Sequence, residues 1–357
     1  MGKYGFLRNA LLLMALVVLI VGCSNQNQNS NKDDSDTTSY ANDNPFEVNG
    51  EDTVMMGAIG HGFVNPELDE SGERRLPLQY DGGELEINYF VNASGKAKNV
   101  GFLVFVDGIP QPYKFNTTEA SYEYMHIFDL EEDDKDTPFT FVFTPVTGKQ
   151  GETLNVSITS IYNPAFIPDM KETSSYGGYH ETLEVLNPLF FEKDAEALEA
   201  SKIPKNNYLN NVSLSNEPIT EKLLEKHSVM QKIDLETLEK QVLSELYFDG
   251  DSAMNVDNLQ VNDSGTLHVT FKLFGHPGVK YQNTFYINHQ ALSTKDGDTS
   301  FEMVLTKGEV TVIDMEIDLE RLEDINTFYV TSVPMNAGDF PDDAIDLQKT
   351  ESILLYK

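Results

Sequence analysis

The sequence predicts a mostly β fold, with two tandem antiparallel β-sandwich domains joined by a partly helical segment. Strand patterns run from residue 53 to about residue 165 and return from residue 249, and the two β segments resemble each other. The segment between them has a different pattern, with prolines and helical spacing. We therefore expect β-sandwich domains at residues 46–165 and 249–357, with a linker at 166–248.

The first β segment has strands that follow one another without helices. Alternate residues from 84 to 91 are apolar, which places Leu85, Ile87, Tyr89 and Val91 on one face. A continuous apolar strand at 100–106 ends at an Asp-Gly turn, and further strand patterns cover residues 122–130, 139–146 and 153–162. Short strands without intervening helices predict an antiparallel sandwich.

The middle segment contains the strongest helical pattern. Over residues 235–246, Asp234 can cap a helix whose apolar face carries Leu235, Leu238, Val242 and Leu246. A second short helix is predicted at 190–201, whereas residues 220–230 fit a helix or a strand.

The second β segment repeats features of the first. Leu85, Ile87 and Tyr89 align with Leu267, Val269 and Phe271; residues 102–106 align with 284–288; and residues 139–148 align with 327–338. This strand pattern resembles the Ig-like sandwiches of bacterial surface proteins. The resemblance concerns architecture alone and implies no particular function.

The N-terminal residues 1–22 have the parts of a secretory signal peptide. Lys3 and Arg8 provide positive charge, and residues 10–21 form an apolar run too short to span a bilayer comfortably. The run ends in Leu19-Ile20-Val21-Gly22-Cys23, which resembles the lipobox of bacterial lipoproteins.

The lipobox resemblance implies that Cys23 is the site of lipid attachment and the first residue of the mature protein. Lipid-linked acyl chains such as palmitate would then anchor the chain to the outer, extracytoplasmic face of the cell membrane. Cys23 is the only cysteine, so the mature chain would contain neither a free thiol nor a disulfide. Polar residues 23–45 are expected to form a disordered tether.

The charge of the chain restricts its partners. The formal net charge is −33, and loss of residues 1–22 removes two basic and no acidic residues, giving −35. Such a surface repels nucleic acids and attracts cations and basic polypeptides. We therefore expect the lipid anchor to make the membrane contact and a protein or peptide to be the partner.

Sequence patterns typical of enzymes are missing. The chain has no Gly-x-Ser-x-Gly motif, no phosphate-binding glycine loop and no cysteine left for catalysis after lipidation. His180-Glu181 lacks the second histidine of the zinc motif. We expect no catalytic residues and no obligatory cofactor.

Calcium is the one metal for which the sequence offers ligands. Asp-Gly-Asp loops place Asp249 near Asp251 and Asp296 near Asp298, and calcium binds clustered carboxylate oxygens. None of these loops completes a twelve-residue EF-hand, and turns favour Asp and Gly for conformational reasons. The sequence leaves both interpretations open.

These features together predict a lipid-anchored, non-enzymatic protein- or peptide-binding or scaffold protein. The loop Tyr176-Gly177-Gly178-Tyr179 is a candidate contact surface. The alternatives are a solute-binding lipoprotein of an importer, which would usually alternate helices and strands, and a secreted hydrolase, which would need a polar catalytic cleft.

Replacement of Cys23 by Ala should abolish lipid attachment. We expect the wild-type chain to incorporate an alkyne-tagged palmitate and to enter the detergent phase of a Triton X-114 separation. The Cys23→Ala chain should remain an unlabelled precursor that retains residues 1–22, and neighbouring Ser24→Ala should behave like wild type. Equal labelling of the Cys23→Ala chain would contradict the lipobox assignment.

Overall fold

The computed structural model describes residues 58–94, 99–130, 135–167, 182–199, 202–204, 206, 208–228, 232–254 and 256–357. These residues form mostly antiparallel β-sheets, which pair face to face as two sandwiches. The predicted mostly β fold class is therefore confirmed. Within the described ranges no helix is both long and apolar enough to cross a bilayer.

In the described residues, the first sandwich contains ten strands. They are β1 (Ala58–Phe63), β2 (Leu78–Tyr80), β3 (Leu85–Ser94), β4 (Asn99–Val106), β5 (Ile109–Pro110), β6 (Lys114–Phe115), β7 (Ile127–Asp129), β8 (Thr137–Phe143), β9 (Thr153–Tyr162) and β10 (Thr182–Phe191). One sheet has the order β1-β3-β8-β6, and the other has the order β2-β10-β9-β4-β5, with β7 beside β4.

The described part of the second sandwich contains twelve strands and one short α-helix. They are β11 (Leu209–Pro218), α1 (Glu221–His227), β12 (Val242–Phe248), β13 (Asp251–Ser252), β14 (Asn258–Gln260), β15 (Thr266–Gly275), β16 (Lys280–Ile287), β17 (Gln290–Ala291), β18 (Ser300–Val304), β19 (Glu309–Asp318), β20 (Ile325–Pro334), β21 (Gln348–Lys349) and β22 (Ile353–Tyr356). Its sheets have the orders β11-β19-β15-β12-β13 and β14-β22-β20-β16-β17, with β18 beside β16 and β21 beside β20. Short 3₁₀ helices cover Thr237–Lys240, Leu319–Arg321 and Ala337–Asp339.

Each sandwich closes over its own apolar core. The four residues predicted to share a face of β3 are buried together, and aromatic side chains of β4 and β8 pack against them. Tyr89, Phe102 and Phe141 meet edge to face at centroid distances of 5.2–5.9 Å. Burial of each such ring stabilises the fold by roughly 2–3 kcal/mol before the entropy of ordering is counted.

The two sandwiches share most of their topology. Strands β1-β3-β8 correspond to β12-β15-β19, and β2-β10-β9-β4-β5 correspond to β14-β22-β20-β16-β17. The strand beside β8 is β6, which follows β5 in the chain, whereas the strand beside β19 is β11, which precedes β12. The short strand β2 pairs in parallel with β10, the last strand of the first sandwich, and β14 pairs in parallel with β22, the last strand of the second. These pairings place Leu78 and Leu259 at equivalent positions. The internal repeat therefore extends to strand order and pairing direction.

Two of the predicted repeat alignments need correction. Val106 and Ile287 occupy equivalent ladder positions, and the turns Asp107-Gly108 and Asn288-His289 follow them with the same left-handed φ angles. The alignment of residues 102–106 with 284–288 was thus wrong by one residue. An unbroken apolar strand has no internal marker of register, so only the turn fixes it.

The alignment of residues 139–148 with 327–338 was wrong for another reason. Residues 139–143 lie in β8, whose counterpart is β19, whereas residues 327–334 lie in β20, the counterpart of β9. Alternating strands followed by Pro and Gly resemble one another wherever they occur, so sequence similarity between single strands does not identify the equivalent strand.

The predicted helix at 235–246 was also wrong. Asp234 caps a 3₁₀ turn through a 3.0 Å bond from the Thr237 N–H, but β12 begins at Val242. Leu246 and Phe248 enter the main core, while Leu243 joins a small core on the outer face of the sheet. A strand that is apolar on both faces carries no clear period of two, and its apolar residues can then coincide with helical spacing.

The segment 166–248 is accordingly not mainly a helical linker. Its described residues supply β10 to the first sandwich and β11 and β12 to the second, with α1 and one 3₁₀ turn between β11 and β12. Residues 190 and 191, predicted to begin a helix, end β10, and α1 occupies part of the undecided stretch 220–230.

Equivalent surfaces of the two sandwiches pack against each other within one compact unit. The cluster between them contains Phe105 with its counterpart Tyr286, and Ile161 with its counterpart Val333. The contact therefore has approximate two-fold symmetry, as an isologous interface has. Burial of these side chains makes the tandem pair a continuous folded body.

The hairpin turns extend the same reciprocal contact. Gly108 of the first sandwich lies against Gln282 and the Val333 carbonyl of the second. Its counterpart His289 donates a 3.0 Å hydrogen bond from Nε2 to the Pro164 carbonyl of the first sandwich. Each turn is thus placed against the opposite sandwich.

Replacement of Gly108 by Ala should destabilise this contact. A Cβ there would lie 2.9 Å from Gln282 Cβ, and Gly108 also has a φ of +75°. We expect a loss of about 2–4 kcal/mol in the free energy of unfolding, measured by urea titration, from backbone strain and overpacking together.

Gly72→Ala is the matched control, because Gly72 has a φ of +74° and open space around it. It should lose only about 1–2 kcal/mol, the strain component. Equal losses for the two variants would show that the Gly108 contact contributes nothing to stability.

Candidate functional site

Two of the sites predicted from the sequence lie outside the described residues. These are the lipid attachment site Cys23 and the loop at 176–179. Both stay predictions.

The predicted calcium ligands lie in tight turns. Asp249 has a φ of +50° and accepts a 3.1 Å hydrogen bond from the His268 N–H. Asp296 and Asp298 donate their backbone N–H groups to Thr294 Oγ1. Asp251 begins the exposed two-residue strand β13. Over the described ranges no three His, Cys, Asp or Glu side chains form a group that could hold a metal ion. The calcium hypothesis stays a prediction.

The buried histidines His61 and His289 make hydrogen bonds that define neutral tautomers. His61 Nε2 donates to the Leu183 carbonyl at 3.0 Å, and Nδ1 accepts from the Tyr89 hydroxyl at 2.7 Å. His289 makes a similar pair of hydrogen bonds: Nε2 donates to the Pro164 carbonyl, and Nδ1 accepts from the Tyr329 hydroxyl. Burial lowers the pKa of each histidine to about 4, against the raising effect of its carbonyl acceptor. Both histidines therefore stabilise the fold in their uncharged form.

The first sandwich is closed along the side where β1 approaches β10. His61 of β1 bonds the backbone of β10 at Leu183, as described above, and Arg75 donates to the Leu186 carbonyl at 3.1 Å. These hydrogen bonds join the two sheets across their lateral opening.

The corresponding side of the second sandwich is open. Between β12 and residues 349–353 lies a groove of about 280 Å³, which we call the β12 groove. Its lining includes Ser244, Leu246, Met254, Thr350 and Ile353. The groove is thus a difference in surface shape between the two otherwise similar copies.

A β-bulge forms one wall of the β12 groove. Thr331 pairs with Lys349, and Phe328 pairs with Ile353. The segment 349–353 therefore has one residue more than the segment 328–331 of β20 with which it pairs. The first copy has no such insertion, because β9 and β10 pair in constant register from Thr153 to Ile161. Bulges re-aim side chains and interrupt pairing, and they are frequent beside binding sites.

The other wall is the edge of β12. Just beyond the end of β12, the Asp249 N–H donates to the His268 carbonyl of β15, whereas the Leu246 carbonyl accepts from the Ala253 N–H on the opposite side. Because backbone groups alternate along a strand, Ser244 directs its N–H and C=O to the same side as Leu246. Among the described strands, β13 pairs with β12 only at Tyr247 and Phe248. Ser244 therefore presents an unpaired strand edge to the groove.

A charged network borders the groove on the outer face of β12. Glu245 is 5% exposed and accepts bonds from Lys226 at 2.6 Å, from His227 at 3.1 Å and from the Tyr247 hydroxyl. Burial tends to raise the pKa of Glu245, but the bonds from Lys226 and Tyr247 outweigh it and hold the pKa below its ordinary value. Burial and the neighbouring carboxylate raise the pKa of Tyr247 to about 12. The carboxylate is thus charged and already satisfied by its neighbours.

The same network contains a pair that superficially suits nucleophilic catalysis. Lys226 Nζ lies 3.0 Å from Ser252 Oγ. A Ser–Lys nucleophile requires an uncharged lysine that can accept the hydroxyl proton. Glu245 stabilises the charged ammonium at 2.6 Å, so this lysine is a hydrogen-bond donor and not a base.

The sequence contained a signal for this site that we interpreted differently. Asp249-Gly250 has positive φ at both residues and joins β12 to β13, as Asp-Gly does in tight hairpins. We considered the dipeptide as part of a calcium loop and placed a helix over the preceding strand. The unpaired edge at Ser244 was therefore missed.

Comparisons with known proteins give no family. No protein-family model matches the chain, and no curated protein matches it. Similar solved structures include the fibronectin(III)-like modules of CbhA from Clostridium thermocellum, at 9% identity and a TM-score of 0.19, covering 84% of this chain and 93% of that one.

Two further structures are the C-terminal domain of the Streptococcus agalactiae AgI/II polypeptide BspA and the CupB6 tip adhesin of Pseudomonas aeruginosa. Their identities are 12% and 8%, and their TM-scores are 0.18 and 0.17. Both matches cover 84% of this chain, and 100% and 97% of the respective structures. TM-scores this low carry no argument about function.

The buried histidines predict an acid-labile fold. An unfolded histidine titrates near 6.5, and the folded pKa values are about 4, so between these values only the unfolded state gains protons. Stability should therefore fall as the pH falls from 6.5 to 4, by up to about 3 kcal/mol for each histidine.

Urea titrations at several pH values of wild type and of the His61→Gln, His289→Gln double variant test this expectation. The double variant should show a weaker pH dependence over that window, whereas His268→Gln, at a half-exposed side chain, should match wild type. Burial raises the pKa of Glu184, which gives the opposite slope, so the comparison between variants is decisive. Identical slopes for all three proteins would refute the assignment.

Proposed function

We propose that the chain is a membrane-anchored extracytoplasmic lipoprotein that acts as a non-enzymatic protein- or peptide-binding or scaffold module. The lipobox supplies the anchor, and the polar residues 23–45 supply the tether. The observation that carries the proposal is the β12 groove, an open strand edge on one of two sandwiches that pack together as a single body. Exposed strand edges bind polypeptides through backbone hydrogen bonds.

The charge network supports a binding role over a catalytic one. Glu245 holds Lys226 in an ion pair, which engages the lysine of the Lys226–Ser252 contact beside the groove. The importer alternative would place a solute between two α/β lobes, whereas the described residues form β-sandwiches. No specific observation favours the hydrolase alternative.

The net charge defines the kind of partner that would approach. At −33 for the whole chain, long-range attraction favours a partner with a basic surface and disfavours nucleic acid. The tether allows the sandwiches to reach such a partner while the lipid holds them at the membrane.

Affinity capture of the tagged full chain from its native membrane, in mild detergent, tests the proposal. We expect a surface or membrane protein to be enriched reproducibly, and a reciprocal capture with that protein tagged should recover this chain. Capture should be greatly reduced for the Cys23→Ala chain, because its precursor carries no lipid. Absence of any reciprocal partner from the membrane would refute the proposed function.

A further inference from the structure

We propose that the edge of β12 at Ser244 binds an extended peptide segment of a partner protein as an added β-strand. The inference rests on the proposed function and specifies its site and mode of binding. The segment would have apolar side chains at alternate positions and basic residues on its flanks.

The backbone of β12 provides the hydrogen-bonding part of the site. The N–H and C=O groups of Ser244 face the β12 groove, two residues before the Leu246 carbonyl that already bonds Ala253 at 2.8 Å. A strand laid beside Ser244 would continue the pairing that β13 begins at Tyr247 and Phe248. Adding a strand there satisfies backbone groups that otherwise bond only to water.

The side chains of the groove determine what the added strand carries. Leu246 and Ile353 line its floor, and Met254, 45% exposed, stands at its margin. Methionine is unbranched and polarizable, so it adapts to apolar groups of different shape. An apolar side chain of the peptide would therefore enter between β12 and the bulge at 350–352.

The polar groups of the groove do not require a charged ligand. Glu245 already accepts three hydrogen bonds, and Lys226 is held by Glu245 and Ser252. Beyond the groove, the acidity of the chain attracts positive charge, so basic residues fit the flanks of the segment and an apolar residue fits its centre.

The first sandwich provides an internal comparison. There the hydrogen bond from His61 of β1 to the Leu183 carbonyl, and that from Arg75 of the β1–β2 connection to the Leu186 carbonyl, reach β10 across the corresponding opening. The same duplicated architecture thus has one closed side and one open side, and we assign peptide binding to the open copy.

A ten-residue randomised peptide library displayed on phage tests the proposal. It is selected on the full-length wild-type protein in detergent, and the enriched peptides are then synthesised. Their dissociation constants are measured by fluorescence anisotropy on wild type, Ser244→Pro and Ser244→Ala. Proline removes the N–H that faces the groove without removing a bond to β15, and alanine retains that N–H.

We expect enriched peptides with alternating apolar residues, bound at least about tenfold more weakly by Ser244→Pro and nearly unchanged by Ser244→Ala. Met254→Asp should weaken binding as well, and it leaves the β12 backbone intact in case the proline variant unfolds. Peptide binding should slow hydrogen exchange at the Ser244 amide, with little change at Leu243, whose amide faces β15.

Failure of the inference and failure of the proposed function are distinguishable. If no peptide is enriched, or if all enriched peptides bind the folded Ser244→Pro and Met254→Asp variants as tightly as wild type, strand addition at β12 is overturned. If the membrane partner is then still captured by those variants, it docks elsewhere and the proposed function stands. If no membrane partner exists at all, the proposed function itself fails.

Discussion

The reciprocal packing of the two sandwiches is the constraint on which the rest of this structure depends. Phe105 and Ile161 share one buried cluster with their counterparts Tyr286 and Val333, and the turns at Gly108 and His289 each contact the opposite sandwich. Two sheets whose outer faces would otherwise be exposed are thereby covered. The residues that line the β12 groove are not part of this cluster.

Duplication followed by local divergence explains how one sandwich differs from the other. Glu184 and Lys349 occupy equivalent positions opposite Thr159 and Thr331. Glu184 accepts a bond from Ser157, whereas Lys349 lies 4.6 Å from the centre of the Tyr329 ring. The charge has been reversed at a position next to the inserted bulge residue, so the changes that open the groove are concentrated in one short stretch of chain.

Charge is distributed so that a strongly acidic chain can still have a folded, partly charged interior. The buried Glu245 is compensated by a lysine, a histidine and a tyrosine, and removal of any one partner would leave a costly buried charge. His61 and His289 are buried in the opposite way, because each is neutral and lies between a backbone carbonyl and a tyrosine hydroxyl. Neither arrangement supplies a proton acceptor at an open surface.

The sequence by itself determined the mostly β fold, the repeat of the inner strands and the signal typical of a lipoprotein. Leu85 and Leu267 could be aligned because alternation of apolar residues marks a half-buried strand. Tertiary structure alone decided that β12 is a strand, because packing on both of its faces hides the period of two that a sequence would show. It alone decided which strands correspond, because counterparts are defined by pairing partners and not by local pattern. Tertiary structure also decided that the edge at Ser244 is open. Whether a backbone group is paired depends on residues far away in the chain, so no local sequence pattern predicts it.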